Sequence, residues 1–410
     1  MRLLATNRPF RLLFSATAIS NLGDGISALA FPWLATLITR DPALIALVAF
    51  ATRLPWLLFS IPAGVLTDRQ DRRLLMVQAD TFRFLLTIGV IALIFSAPDL
   101  PLQEDPLIYI LALSGLAMML GTAEVVRDNA AQTVLPSVVA KADLEAANGQ
   151  MWSVEQIMGS FVGPPLAGVL IALAVPAPFA VDAVTFAIAA WLVWCMAIPR
   201  RPARKTTRII PEIMEGWTWM RAHPTILRLA IMLGLINAIS TMAITVLILF
   251  SQEILNLSAI GHGVLMTAGA AGGVVGGLLG PKVVARIGAQ KSVQLALLLF
   301  PVPLVVIGLT ANPVVAAVAL FLEMIAALLW NIVTVSYRQR RIPDALLGRV
   351  NSLYRFFGWG MMPLGALAGG LIVSAVEADL GRELALRVPY LLGAAMMMAM
   401  MLYGSAKLRL

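Results

Sequence analysis

Charged side chains interrupt several long apolar runs of this chain. Asp24, Arg53 and Glu323 fall mid-run, Arg83, Glu155 and Arg355 lie nearer one end of theirs, and Asp182 nearer the other end. A charge so placed is costly and marks a functional position by default. The chemistry open to a lone carboxylate in a low-dielectric cavity is to load and release a proton near neutral pH. Asp24, flanked by Gly23 and Gly25 that leave its side chain accessible, is the first candidate for proton coupling, and Glu323 is the second. Two alternatives stay open: Asp24 forms a salt bridge with Arg53 that merely joins two helices, and Glu323 is a hydrogen-bonded structural acid. Arg53 and Arg83 are the candidate ion-pair partners within the runs, while Glu155 and Asp182 read as interfacial.

Other chemistry finds little support. Two His and one Cys argue against a zinc site, and a single cysteine, Cys195, excludes an internal disulfide. His223 and His262 read as structural. No G-x-x-x-x-G-K-[ST] segment is present, so ATP is not the direct energy source. No metal or cofactor is expected. No His/Cys/Asp/Glu constellation clusters at one depth, as an enzyme would need, and the charges lack the ring-like repetition of a channel. The Met396–Met401 cluster and Trp33, Trp56, Trp330 and Trp359 are apolar or aromatic surface that a ligand could use, but packing or lipid contact accounts for them equally.

The elements that position these charges follow from composition. The 410 residues are 60% hydrophobic and 13% charged, with mean hydropathy +0.88. A soluble domain has about a quarter of its residues charged. This much apolar surface needs lipid as its solvent. The runs are apolar all round and about 20 residues long, the length of a helix across the hydrocarbon core. The alternating segments of a membrane barrel are about ten residues long and do not match. Spans are expected at roughly 10–38, 43–66, 74–97, 106–126, 151–174, 178–198, 226–250, 261–283, 292–310, 313–335, 351–376 and 388–406, with ends uncertain by about 2–4 residues. The first run is far longer than the roughly 7–15 residues of a signal-peptide core, so no cleaved leader is expected.

The connections alternate in charge. One face collects 25 of the 30 Lys and Arg, the other only Arg40, Arg382 and Arg387. That bias puts both termini in the cytoplasm. It also accounts for the net charge of +8 without nucleic acid. The chain divides into two halves, 1–198 and 226–410, joined by a basic cytoplasmic linker at 199–225. The halves resemble each other. Leu135-Pro136, Ala147-Asn148 and Leu166-Ala-Gly168 recur in order as Ile342-Pro343, Val350-Asn351 and Leu367-Ala-Gly369. A duplicated six-helix unit of this kind places a binding site near the midplane.

Two motifs carry a family resemblance. Gly64-x-Leu66-x-Asp68-Arg69-x-Asp71-Arg72-Arg73, between the second and third spans, resembles the G-x-L-x-D-R-x-G-R-R signature of the major facilitator superfamily. Asp71 replaces the usual Gly, at a tight turn that Asp tolerates better than most residues. In the fifth span, Gly159-Ser-Phe-Val-Gly163-Pro164-Pro165-Leu-Ala-Gly168 resembles the antiporter signature G-x-x-x-G-P-x-x-G-G. Asn21-Leu-Gly-Asp24 and Leu347-Gly-Arg-Val-Asn-Ser352 resemble the bacterial branch that contains the enterobactin exporter and macrolide efflux proteins.

The resemblance implies an all-α membrane protein with twelve transmembrane helices in two pseudo-symmetric six-helix bundles, the major facilitator fold. It implies a secondary transporter working by alternating access in the bacterial inner membrane, as a monomer. The expected activity is proton-coupled export of a small amphipathic molecule of the drug, macrolide or siderophore type. A lipid or lysolipid transporter or flippase on the same scaffold, and an importer, remain open. The first signature is expected to latch the cytoplasmic face. Asp68 would meet the start of the eleventh span, with Arg355, and Arg69 or Arg72 would pair with Glu124 or Asp128.

Overall fold

The computed structural model describes residues 2–97, 100, 102, 106–140, 143–197 and 209–409. The described residues are overwhelmingly helical and contain no strand. The first eight helices are α1 (Arg2–Thr6), α2 (Arg8–Ile38), α3 (Pro42–Arg69), α4 (Arg72–Ser96), α5 (Pro106–Val138), α6 (Leu144–Gln156), α7 (Gly163–Leu173) and α8 (Ala177–Trp194). A π-helical turn, Ile157–Val162, joins α6 to α7. Then come α9 (Ile209–Ala222), α10 (Pro224–Glu253), α11 (Ala259–Ile287), α12 (Ala289–Leu299), α13 (Pro301–Leu309), α14 (Pro313–Arg341), α15 (Asp344–Gly360), α16 (Met362–Leu380) and α17 (Arg382–Lys407). The expected linker lies outside the described residues as far as 208; from Ile209 it is helix.

Among the described residues, 11 helical stretches are long and apolar enough to cross a membrane. The pairs α6–α7 and α12–α13 each make one such stretch, and another begins within α15 and runs through α16. With its 31 residues α2 is long enough to be a twelfth, but Asn21 and Asp24 lower its apolarity. Large apolar side chains face outward in number, among them Phe95, Ile108, Leu173, Leu309 and Val314. Water would penalise such a surface; hydrocarbon does not, and helices satisfy their own backbone groups there.

Local chemistry sets several boundaries. Asn7 starts α2 by accepting from Phe10 N at 2.9 Å, and Asn312 starts α14 by accepting from Val314 N at 2.8 Å. Gly288 and Gly381, at φ 82° and 79°, supply the left-handed turns before α12 and α17. Several boundaries depart from expectation, among them the start of α6 at Leu144 and the end of α14 at Arg341, and the largest departure is in α5. Helix α5 continues about three turns past the expected end near residue 126, because its charges Glu124, Arg127 and Asp128 find an interior setting rather than water.

The chain forms two compact units. One comprises Met1–Arg40, Leu47–Lys205 and Ser258–Val264; the other comprises Asp41–Ala46, Thr206–Leu257 and Leu265–Leu410. In the first, α2, α4, α5 and α8 pack together. Phe10, Leu13, Met76, Val134 and Val193 form an apolar core at one end, and Phe31 meets Phe179 edge-on at 5.4 Å toward the other. In the second, α10 is buried around most of its circumference and packs on α16 and α17, with Phe250 and Tyr390 rings 5.0 Å apart.

Glycines set the tightest crossing in the first unit. A Cβ on Gly25 would strike the Gly159 backbone, and one on Gly163 would come within 2.5 Å of the Gly25 Cα. Helix α2 therefore touches the π turn backbone to backbone, which only small residues allow. Gly23 likewise makes room for Asp182 and Thr185. The expectation that Gly23 and Gly25 expose Asp24 is thus replaced: they admit neighbouring helices.

Gly25→Ala should destabilise the protein by about 1–3 kcal/mol through overpacking. Gly64→Ala, where nothing lies within 4 Å of the new methyl, should leave stability unchanged or raise it by about 0.5–1 kcal/mol. Thermal unfolding in detergent checks the pair.

Candidate functional site

The first unit holds a polar interior built on a stripe of α2. Thr17, Ser20, Asp24 and Ser27 recur at helical spacing, so they share one face. Helix α4 brings Asp80 and Arg83 to that face, α5 brings Glu124, Arg127 and Asp128, and α8 brings Asp182.

Two guanidiniums hold the cluster together. Arg83 pairs with Asp24, donates to Ser20 Oγ at 3.0 Å, and lies 3.5 Å from Asp80 Oδ1. Its guanidinium also stands 3.8 Å from the centre of the Phe186 ring on α8. Arg127 reaches Asp80 Oδ1 at 3.7 Å, Asp128 Oδ1 at 3.4 Å and Thr17 Oγ1 at 3.4 Å. Asp80 thus sits between two arginines at ion-pair distance, with neither carboxylate oxygen in a full hydrogen bond. Asp182 accepts from Ser27 Oγ at 2.5 Å and from Thr185 Oγ1 at 3.4 Å.

Burial makes these contacts consequential. Asp80, Arg83, Arg127 and Asp182 are each at most 2% exposed, whereas the Asp24 side chain keeps 23%. Glu124 lies in the electrostatic field of Arg53, Arg83, Arg127 and Asp24. Five carboxylates therefore share a region with Arg83, Arg127 and, facing Glu124, Arg53. Buried charges require partners, and here acids outnumber guanidiniums. Such a network can take up a proton and redistribute its arginines among the acids that remain charged.

The second unit holds Glu323 on α14. Ser240 of α10 donates to its Oε1 at 2.9 Å. Nearer the end of α14, Arg338 donates to Asn351 Oδ1 at 2.9 Å and stands 3.5 Å from the centre of the Tyr354 ring.

The residues expected from the sequence fall into place as follows. Arg83, not Arg53, is the partner of Asp24; Arg53 donates to its own helix at Ala49 O, 3.3 Å away. Asp182 is buried rather than interfacial. Asp80 and Arg127 were missed, the latter because it counted as a loop charge. Their signal was helical spacing: Asp80 and Arg83 are three apart, and Glu124, Arg127 and Asp128 share one helix face.

The signature between α3 and α4 differs from the expected latch. Asp128 pairs with Arg127, and Glu124 faces the cluster, so neither takes Arg69 or Arg72. Arg72 donates instead to the carbonyls of Thr133 on α5 and Thr67 at 3.0 and 3.4 Å. Arg73 donates to Met196 O at 2.9 Å, just past α8, and lies over Trp194. Asp71 takes the extended φ of −68° and caps α4, accepting from Arg73 N and Leu74 N at 2.9 and 3.2 Å. The missing Gly is therefore not needed for a left-handed turn. Arg69 and Arg355 are exposed, the latter 5.8 Å from the Trp359 ring of its own helix. The Asp68 side chain lies outside the described residues.

The antiporter-like motif forms the π turn and the start of α7. Gly163 N–H bonds Met158 O, five residues back, and Pro164 and Pro165 remove the next two donors. Gly168 packs against the backbone at Ala259, within the same unit. Among the described residues no three His, Cys, Asp or Glu converge as a metal site.

A family model described as "Transmembrane secretion effector" matches residues 5–409. A staphyloferrin A transporter of Staphylococcus aureus is 24% identical over 87% of this chain and 87% of that protein. An enterobactin exporter of Shigella boydii is 26% identical over 86% of this chain and 82% of that protein. A bacterial homologue of the iron transporter ferroportin, solved in an inward-facing state, shares the fold with a TM-score of 0.75 at 17% identity, covering 98% and 99% of the two chains.

Removing one partner of the buried network should be severe. Arg127→Leu should cost about 3–5 kcal/mol by stranding Asp80 and Asp128, and Asp71→Ala about 1 kcal/mol by uncapping α4, with Asp71→Asn close to wild type. Arg69→Ala should stay within about 0.5 kcal/mol. Unfolding midpoints of the purified variants in detergent decide the order.

Proposed function

Since the chain belongs to the transmembrane secretion effector family of the major facilitator superfamily, we propose that it exports a small amphipathic organic molecule in exchange for protons. Membership makes it a multi-pass membrane protein and a secondary transporter of a small molecule, not an enzyme. Export is supported by the enterobactin exporter among its relatives. The substrate is of the drug, macrolide or siderophore type, the protein acts as a monomer in the inner membrane, and both termini face the cytoplasm, in keeping with the Lys and Arg bias.

One observation carries the coupling: the surplus of acids over guanidiniums around Arg83 and Arg127. Asp24 keeps 23% of its side chain exposed, and Arg83 stands between Asp24 and the fully buried Asp80. Protonation of Asp24 removes its attraction for Arg83, which then belongs to Asp80 alone. Loss of that pair loosens α2 from α4. Because α2 also touches the π turn at Gly25, the change reaches the antiporter-like motif. The rocking that exposes a site alternately to the two sides of the membrane then follows the proton.

The signature arginines have a role in this scheme. Arg72 and Arg73 tie the start of α4 to the carbonyl-rich ends of α5 and α8, where cations are favoured. They hold the cytoplasmic ends of the first unit together so that it moves as one body.

Everted vesicles loaded by an imposed pH gradient test the reading with a fluorescent dye such as Hoechst 33342. Wild type should transport only with the gradient, and Asp24→Asn should lose about tenfold or more of the driven rate. Gradient-independent transport, with Asp24→Asn equal to wild type, would sink proton coupling; movement of labelled lipid in place of dye would favour the lipid-transporter alternative.

A further inference from the structure

The two units treat their buried acids differently. In the first, every guanidinium in the cluster answers at least one carboxylate. In the second, Glu323 lies ten residues into α14, about 15 Å along the helix and so near the middle of a roughly 30 Å hydrocarbon core. No described cation reaches it. Arg338 is bound to Asn351 and Tyr354, Arg382 to Glu253 and Glu377, and Arg387 to Glu383 and to the carbonyls of Gly308 and Thr310. The hydrogen bond of Glu323 in the structure comes from the neutral Ser240.

A second polar group in this unit lacks a hydrogen-bond partner. Tyr390 of α17 is 1% exposed, its hydroxyl has no hydrogen-bond partner, and it lies within electrostatic reach of Glu323. An unpaired buried donor is costly, as is a carboxylate with no counter-charge. Both costs fall if a ligand supplies a positive charge to Glu323 and an acceptor oxygen to Tyr390.

We propose that Glu323, with Ser240 and Tyr390 beside it, receives the positively charged group of the transported molecule, so that the substrate is an organic cation with an apolar body. This rests on the reading of the chain as a secondary exporter and narrows its substrate class. The apolar body follows from the residues one turn away on the same helix faces: Leu320 and Ala326 beside Glu323 on α14, and Ile236 and Ala243 beside Ser240 on α10. A polyanionic ligand would meet an uncompensated carboxylate in this unit. The proton and the organic cation compete for one carboxylate, so each displaces the other.

Calorimetric titration of the purified full-length protein with tetraphenylphosphonium tests this without any gradient, so failure of proton-driven transport leaves the result readable. Wild type should bind, and Glu323→Gln should bind roughly tenfold or more weakly. Glu323→Asp should stay within a few-fold, and the exposed Asp379→Asn should match wild type. Wild-type affinity should fall as pH is lowered, as competition with a proton requires. Should Glu323→Gln fail to yield folded protein, Ser240→Ala carries the test, with a few-fold weaker affinity and the pH trend intact. Glu323→Gln or Ser240→Ala binding as wild type does, or wild type binding the anionic dye calcein in preference to tetraphenylphosphonium, would overturn the assignment.

Discussion

A guanidinium in the middle of a membrane protein cannot discard its proton, so the structure around it must supply negative charge. Arg83 imposes this constraint on the first unit. It takes Asp24 from α2, Asp80 from its own helix, a hydroxyl from Ser20 and the face of Phe186 from α8. The relative rotation of α2, α4 and α8 follows from those contacts. Arg127 repeats the demand one step away, drawing Asp80, Asp128 and Thr17 together. The same low dielectric that makes an unpaired charge expensive makes removal of either partner of such a pair costly.

Such a network works only where helices come close, and small residues determine where that is. Gly25, Gly159 and Gly163 let two backbones touch, and Gly23 lets Asp182 approach α2. The π turn at Ile157–Val162 lies at the same crossing. Pro164 and Pro165 deprive the helix of two donors there, and a wider turn accommodates the break. The polar stripe of α2 and the irregular helix after α6 are thus mechanically joined.

The loop signature engages backbone groups at the ends of neighbouring helices. Asp71 satisfies orphan amides at the start of α4, while Arg72 and Arg73 address carbonyls at and beyond the ends of α5 and α8. Both effects exploit the partial charges of helix termini. An Asp in place of Gly fits because the backbone is extended at that position.

Much of the fold was legible in the chain itself. Helical spans of membrane-crossing length follow from the apolar runs and the thickness of the bilayer. That Asp24, Arg83 and Glu323 fall within helices was legible too, and charge inside an apolar run is expensive wherever the helix sits. Pairing was not. That Asp24 meets Arg83 rather than Arg53, that Asp80 and Arg127 are buried, and that Arg72 and Arg73 reach the carbonyls of Thr133 and Met196 all depend on how each helix is rotated about its axis. Burial cost is a property of one helix and its medium, so the sequence alone determines it. Partnership is a property of two helices and the angle between their faces, and only the tertiary structure decides that.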